Sequence, residues 1–169
     1  MFLTLQAIEQ LFAPWKQVYS DSVALSTGVT AIHLLAMLFG GGLAVAADRT
    51  TLLLRGENIE QRRQHLIDLN AVHRPVLIAL TISFITGVAM LTSDLKTFIA
   101  SPALWVKLVL VALLLVNGVL LQSTETALRR STDGEASTSL WSRLRFNAIS
   151  SLVLWSATLV AGITLVNVA

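Results

Sequence analysis

One histidine, His33, lies inside an apolar stretch, and three consecutive glycines follow it about two helical turns later. The stretch reads AIHLLAMLFGGGLAVAADR over residues 31–49. An ionisable residue in such a setting is a candidate functional group, because its burial in an apolar medium is costly. Glycines allow helices to approach closely, and they also leave room for a flat ring. Two interpretations follow: a ligand site at His33, or a packed interface in which His33 bonds a threonine or a backbone carbonyl.

The elements that position this histidine are predicted by composition and run length. Of the 169 residues, 54% are hydrophobic and 13% are charged, whereas a soluble domain carries about 25% charged residues. Four apolar runs are close to the length that crosses a bilayer. We predict an all-α integral membrane protein, a four-helix bundle that forms a single domain over residues 1–169. The predicted spans are 23–47, 75–92, 103–122 and 146–166.

The N-terminal segment predicts a helix that lies in the membrane interface over residues 1–15. Its apolar residues recur at helical spacing, Pro14 is expected to end it, and aromatic anchors follow. The residues concerned are Phe2, Leu5, Ile8, Phe12, Trp15 and Tyr19.

The distribution of basic residues predicts the orientation. All nine arginines fall in the segments 48–74 and 123–145, and the three lysines lie elsewhere. Short basic loops stay in the cytoplasm, so these two segments are the predicted cytoplasmic loops and both termini lie outside. The predicted location is a bacterial inner membrane, crossed several times. Within the first loop, residues 57–75 predict a helical extension of the second span, whereas RRSTDGEASTS in the second predicts a mobile connection.

Helix geometry argues against a haem held by two histidines of this chain. His33 lies near the outer edge of the first span and His73 at the inner edge of the second, so their depths differ by roughly 20 Å. His65 lies further into the cytoplasm. A metal shared by His65 and His73 would require a break in the helix, and the role of these two histidines stays open.

Counting from the middle of each span predicts which residues share the depth of His33. Its own helix face carries Met37, Gly40, Gly41 and Ala44. The other spans contribute Thr86, Gly87, Lys107 and residues 160–162.

These neighbours define the candidate cofactor-binding residues, which are His33, Lys107, Gly41 and Gly87. A five-coordinate haem, a chlorophyll-type pigment or a quinone head group would suit one imidazole contact. A Cu(I) site from His33 and Met37 lacks an evident third ligand. Lys107 either extends to the headgroups or meets an anionic ligand near His33.

Two other polar features of the spans have simpler interpretations. Asn117 is expected to join two helices by a hydrogen bond. Asp48 and Arg49 are expected to form an ion pair that closes the end of the first span.

Several function classes find no support in the sequence. The chain has no cysteine, its net charge of +2 is small, and no basic stripe indicates a nucleic-acid partner. No catalytic triad, zinc motif or phosphate loop is present.

The order of these motifs resembles a group of uncharacterised bacterial four-helix inner-membrane proteins, and distantly the copper-resistance-D type of membrane protein. The resemblance covers roughly residues 28–122 and departs from the pattern at Ser101 and Leu104. It implies a fold more than an activity. The matching positions are His33, Gly41, Asp48, Arg49, Gly87, Pro102, Trp105, Lys107 and Asn117.

The sequence therefore supports two principal hypotheses and one weaker one. The first is a small membrane protein that holds a prosthetic group or metal at His33 for electron transfer or metal handling. The second is an accessory or scaffold subunit of a larger membrane assembly or homo-oligomer, with small residues left facing lipid. An intramembrane enzyme or carrier for a lipophilic molecule has only His33 and Lys107 in its favour.

Overall fold

A computed structural model describes residues 2–54, 59–131 and 134–168 of the chain, and every regular element among them is an α-helix. In chain order the elements are α1 Phe2–Asp21, α2 Val23–Leu53, α3 Ile59–Ser93, α4 Leu95–Ala100, α5 Pro102–Arg130 and α6 Gly134–Val168. Four of them, α2, α3, α5 and α6, are long and apolar enough to cross a membrane. The prediction of an all-α membrane bundle is confirmed, and the chain is a multi-pass membrane protein.

The four long helices pack as two hairpins. α2 packs most extensively on α3, and α5 packs most extensively on α6. α2 also packs along α6 and so joins the hairpins, whereas α3 and α5 touch little. We call the end of the bundle that carries residues 48–74 and 123–145 the arginine end, and the end that carries Lys16 and Lys96 the lysine end.

The three consecutive glycines of α2 face three different surroundings. A Cβ atom at Gly40 would lie 2.9 Å from the Cβ of Ala79 on α3, so this glycine sets the closest approach of the two helices. A Cβ atom at Gly41 would lie 3.1 Å from the indole of Trp155 on α6. At Gly42 no atom lies within 4 Å of the added Cβ, so this residue faces outward.

The arginine end carries its own hydrophobic core, and this corrects the prediction for residues 123–145. That segment was expected to be a loop, but α5 continues to Arg130 and α6 begins at Gly134. Apolar side chains on these extensions are buried, and their packing outweighs the loop-forming tendency of the Ser- and Thr-rich sequence. The core residues are Leu66, Leu69, Leu121, Leu128, Trp141 and Leu144. The predicted helical extension before the second span is confirmed, since α3 runs from Ile59 through Pro75.

Helix α1 extends past its predicted stop. It continues through Pro14 and ends at Asp21, and the indole N–H of Trp15 donates to the Ala89 carbonyl of α3 at 2.9 Å. This bond holds the segment that follows the proline against the bundle. The side chains of Phe2, Leu5 and Ile8 lie outside the described residues, and the interfacial position of α1 stays a prediction.

Replacing Gly40 by alanine should weaken the α2–α3 interface. The new methyl group would press on Ala79 Cβ, which is fixed to the backbone, so the helices must separate at an expected cost of about 1–3 kcal/mol. Gly42→Ala is the matched control, because it adds the same helix-favouring methyl group in open space. Thermal unfolding in detergent should give a lower Tm for Gly40→Ala than for Gly42→Ala. Equal values would contradict the close approach at Gly40.

Candidate functional site

The imidazole of His33 faces the bundle and is tied to α3. The side chain is 9% exposed. Its Nδ1 atom lies 2.9 Å from the carbonyl oxygen of Ser83 and 3.0 Å from the hydroxyl of Thr86. The structure thus contains the hydrogen bonds that the packing interpretation of His33 expected, to a threonine and to a backbone carbonyl. It also fixes which face of α2 is turned inward.

These contacts determine the tautomer of His33. A carbonyl oxygen can only accept, so the bond to Ser83 requires a proton on Nδ1. In the neutral ring Nε2 then carries the free lone pair. Imidazoles that bind metals or accept protons are commonly held in this way, with one nitrogen oriented by a backbone carbonyl and the other left to act.

Gly87 provides space beside the ring. A Cβ atom at this position would lie 3.3 Å from Cε1 of His33, closer than most side-chain contacts. The prediction from span depth is therefore confirmed for Thr86 and Gly87, which both adjoin His33.

Lys107 is half-buried and points towards α6. Its Nζ atom would lie 3.4 Å from a Cβ atom at Gly162. Lys107 and Gly162 lie at similar distances from the ends of α5 and α6 at the lysine end, and contact of the ammonium with a ligand near His33 stays a prediction. Within the described part of the chain no carboxylate forms a salt bridge with Lys107.

Thr158 is a buried polar residue in the same half of the bundle that the sequence analysis missed. It lies one turn from Gly162 on α6 and is 1% exposed, and its hydroxyl has no hydrogen-bond partner among the described residues. Such a group costs free energy unless a ligand or water satisfies it. The signal in the sequence is the helical spacing of Trp155, Thr158 and Gly162, which places a hydroxyl on the buried face of α6.

Gly41, the fourth predicted site residue, lies against Trp155. The indole covers the glycine surface, with Cε3 at 3.1 Å and Cζ3 at 3.3 Å from the position of an added Cβ. A flat ring does pack against Gly41, but it is the indole of Trp155 and not a cofactor. A cofactor contact at Gly41 stays a prediction that requires the indole to move.

The two histidines near the arginine end have separate partners. His65 Nε2 lies 2.8 Å from the Thr51 hydroxyl, and its ring stacks on Trp141. His73 Nε2 lies 3.5 Å from Oε2 of Glu125, whose Oε1 accepts a hydrogen bond from the Arg129 guanidinium at 2.8 Å. The His65 contacts link α3 to α2 and α6, whereas His73 Nε2 and Glu125 Oε2 face each other across α3 and α5 without a hydrogen-bond partner among the described residues.

His, Cys, Asp and Glu side chains do not gather in groups of three that could hold a metal ion anywhere in residues 2–54, 59–131 and 134–168. His65 and His73, each with its own partners, therefore form no joint metal centre in this arrangement.

Asp48 differs from its prediction. The expected ion pair with Arg49 is absent from the described contacts, because successive residues of a helix point in different directions. Arg49 is exposed, whereas Asp48 is 3% exposed, lies beside Ser151 of α6, and has one carboxylate oxygen without a partner. Asn117 matches its prediction, since its amide donates to the Asn147 carbonyl at 3.0 Å and joins α5 to α6.

Comparison of the chain with protein-family profiles, with curated proteins and with solved structures finds no match. The fold assigns the chain to a general class, the multi-pass α-helical membrane proteins. Its candidate polar site lies in the lysine-end half of the bundle. The resemblance to a four-helix inner-membrane group stays a prediction.

The tautomer of His33 can be read directly by ¹⁵N NMR of histidine-labelled protein. We expect Nδ1 to show the shift of a protonated nitrogen and Nε2 that of an unprotonated one, because Ser83 can only accept. Thr86→Val should keep this tautomer and lower the stability by about 0.6 kcal/mol, an average value for such bonds in membranes. Thr81→Val is the control, since the Thr81 hydroxyl bonds only its own helix, at Leu77. A proton on Nε2 alone would contradict the geometry.

Proposed function

We propose that this chain is a small electron-transfer protein of the membrane, and that His33, Lys107 and Thr158 hold the head group of a quinone-type cofactor. The observation that carries the proposal is a set of three different polar groups in one half of the bundle whose hydrogen-bonding capacity is not used by other described residues. They are the Nε2 lone pair of His33, the unpaired ammonium of Lys107 and the unpartnered hydroxyl of Thr158.

The chemistry of these groups fits oxygen atoms better than it fits a metal ion. The ammonium and the hydroxyl donate hydrogen bonds to carbonyl oxygens. The His33 lone pair accepts a hydrogen bond from a hydroxyl group and can take its proton. The metal-handling form of the first hypothesis lacks a donor set, because His33 and Met37 supply two ligands and no group of three is present in the described residues.

A quinone-type group supplies two-electron chemistry that is coupled to protons on its two oxygens. The residues of this chain would bind the head group, orient it and exchange one proton at Nε2. The Ser83 carbonyl holds the imidazole ring in place while this happens. Gly87 and Gly162 have no side chains that would crowd His33 and Lys107.

A lipophilic ligand would reach this site from the bilayer, because lipid-facing apolar side chains surround this half of the bundle. Large apolar side chains of α2, α3 and α5 are exposed around the same half of the bundle, including Leu34, Phe84 and Trp105. In a membrane protein of this size these surfaces contact lipid. We further propose the orientation that the arginines indicate, with the arginine end in the cytoplasm and both termini on the outer face of a bacterial inner membrane.

The test is to purify the full chain gently, extract the bound organic molecules, and record difference spectra between the oxidised and reduced protein. We expect a quinone-type difference spectrum and a co-extracted quinone. His33→Ala should lower quinone retention about tenfold or more, because it removes a hydrogen bond to the ligand and the proton acceptor. If the protein instead shows a Soret or pigment band that disappears in His33→Ala, the cofactor at this histidine is a haem or a pigment and not a quinone.

Thr158→Val offers a sharper comparison, because Thr164→Val is a matched control. The Thr164 hydroxyl is exposed and already bonds the Val160 carbonyl of its own helix at 2.9 Å. We expect weaker quinone binding in Thr158→Val and unchanged binding in Thr164→Val. Protein that retains no quinone and shows no redox spectrum would overturn the proposal.

A second candidate function, an accessory subunit, is favoured by one observation. Gly28, Gly42 and Gly118 have no atom within 4 Å of an added Cβ, so small residues do face outward after the four-helix core has formed. Such residues let partner helices approach closely. Mild-detergent purification followed by mass measurement should then reveal a partner or a homo-oligomer that Gly42→Leu disrupts. If the unmodified protein and Gly42→Leu are both monomeric and without a partner, this role for Gly42 is excluded.

A further inference from the structure

A pocket of about 270 Å³ lies at the lysine end, between α1 and the elbow at which α3 gives way to α4. One face of α1 lines it, because Glu9, Phe12 and Lys16 are spaced by three and four residues along that helix. The opposite wall is polar and includes Asp94, Lys96 and Thr97. The pocket is separate from the His33 site.

The charges around this pocket are balanced and only loosely paired. Two ammonium groups, of Lys16 and Lys96, share it with two carboxylates, of Glu9 and Asp94. Lys16 and Asp94 lie 3.5 Å apart with 60% and 45% of their side chains exposed, and exposed pairs of this kind contribute little to stability. A ligand can therefore replace this contact at small cost.

Asp94 is charged under ordinary conditions. The hydrogen bond from the Thr97 side chain lowers the pKa of its carboxyl group, and the neighbouring Lys16 ammonium lowers it as well. A negative group thus faces the pocket at neutral pH, beside the two positive ones.

The position of this pocket at the end of the spanning helices predicts that it faces the lipid headgroups. α3 ends at Ser93 and α5 begins at Pro102, so the elbow between them marks one edge of the membrane-spanning part. Tryptophan and tyrosine are typical of that layer. Trp15 contacts Tyr19 with ring centroids 5.6 Å apart, and the Trp105 indole donates to the Ile99 carbonyl at the same end.

We propose that this outer headgroup pocket binds a phosphate ester that carries a primary ammonium group, as in the headgroup of phosphatidylethanolamine. The ammonium groups of Lys16 and Lys96 would bind the phosphate oxygens. The carboxylates of Glu9 and Asp94 would accept hydrogen bonds from the ligand's N–H groups, and Phe12 offers an apolar surface to the adjoining carbon atoms.

This chemistry predicts selectivity. A quaternary ammonium, as in phosphatidylcholine, has the same charge but no N–H to donate. Phosphatidylglycerol has the phosphate but no positive group for Glu9 and Asp94. The pocket should therefore distinguish lipids whose headgroups differ only in methylation, which general attraction to a membrane surface does not do.

The test uses the full-length protein in phosphatidylcholine nanodiscs, to which phosphatidylethanolamine of the same acyl chains is added, with native mass spectrometry of the lipids retained. We expect about tenfold preferential retention of phosphatidylethanolamine, since a charge-assisted hydrogen bond is at stake. Glu9→Gln should reduce this preference, whereas Lys96→Gln should reduce the retention of both lipids, because both carry the phosphate. Asp21→Asn is the matched control, because Asp21 is an exposed carboxylate at the end of α1 that does not line the pocket.

A second arm distinguishes the source of the headgroup. Soluble phosphoethanolamine and phosphocholine are titrated separately into ¹⁵N-labelled protein, and the shifts of the Lys96 and Thr97 amide resonances are compared. Larger shifts with phosphoethanolamine would support the proposed chemistry with a soluble ester as ligand. Equal retention of the two lipids together with equal shifts would overturn the proposal. Equal effects of Asp21→Asn and Glu9→Gln would do the same. None of these outcomes depends on whether His33 holds a quinone.

Discussion

The hydrogen bond from His33 to the Ser83 carbonyl is the interaction on which the proposed site depends. In lipid, polar groups have to be satisfied by the protein itself, and this bond joins α2 to α3 within the membrane-spanning part of both helices. It orients the imidazole and leaves Nε2 with a lone pair. The close approach of α2 and α3 at Gly40 and Ala79, about two turns along α2, holds the same pair of helices together.

Both halves of the bundle contain buried polar atoms that have no hydrogen-bond partner among the described residues, but the kinds of group differ. Near the arginine end His65 and Asn117 bond across helices beside a hydrophobic core that contains the fully buried Leu144, and the unpartnered atoms belong to Asp48, His73 and Glu125. In the lysine-end half Lys107 has no carboxylate partner and Thr158 none at all among the described residues. The hydrophobic core stabilises the arginine-end half. In the lysine-end half the unused groups are an ammonium, a hydroxyl and the His33 lone pair, which suit the oxygen atoms of one ligand.

Span lengths and helix rise alone predicted which residues share a depth, and this was sufficient for His33 with Thr86 and Gly87 and for Lys107 with Gly162. Depth does not give rotation about the helix axis. Because every face of α2 is apolar, the pattern could not show that Asp48 turns inward or that Gly41 meets Trp155. The extensions of α5 to Arg130 and of α6 from Gly134 were missed for a different reason, since their order comes from packing on residues distant in sequence, such as Leu66.

The most direct test of the central claim is the ¹⁵N spectrum of His33 during titration with a short-chain benzoquinone and its reduced form. If Nε2 takes part in binding, its resonance should move with the reduced form, which can donate a hydroxyl proton to it, while the protonated Nδ1 stays near its starting position. The same movement should fail to occur for His65, whose Nε2 is already engaged by Thr51. A spectrum in which His33 Nε2 does not respond to either form would contradict the account.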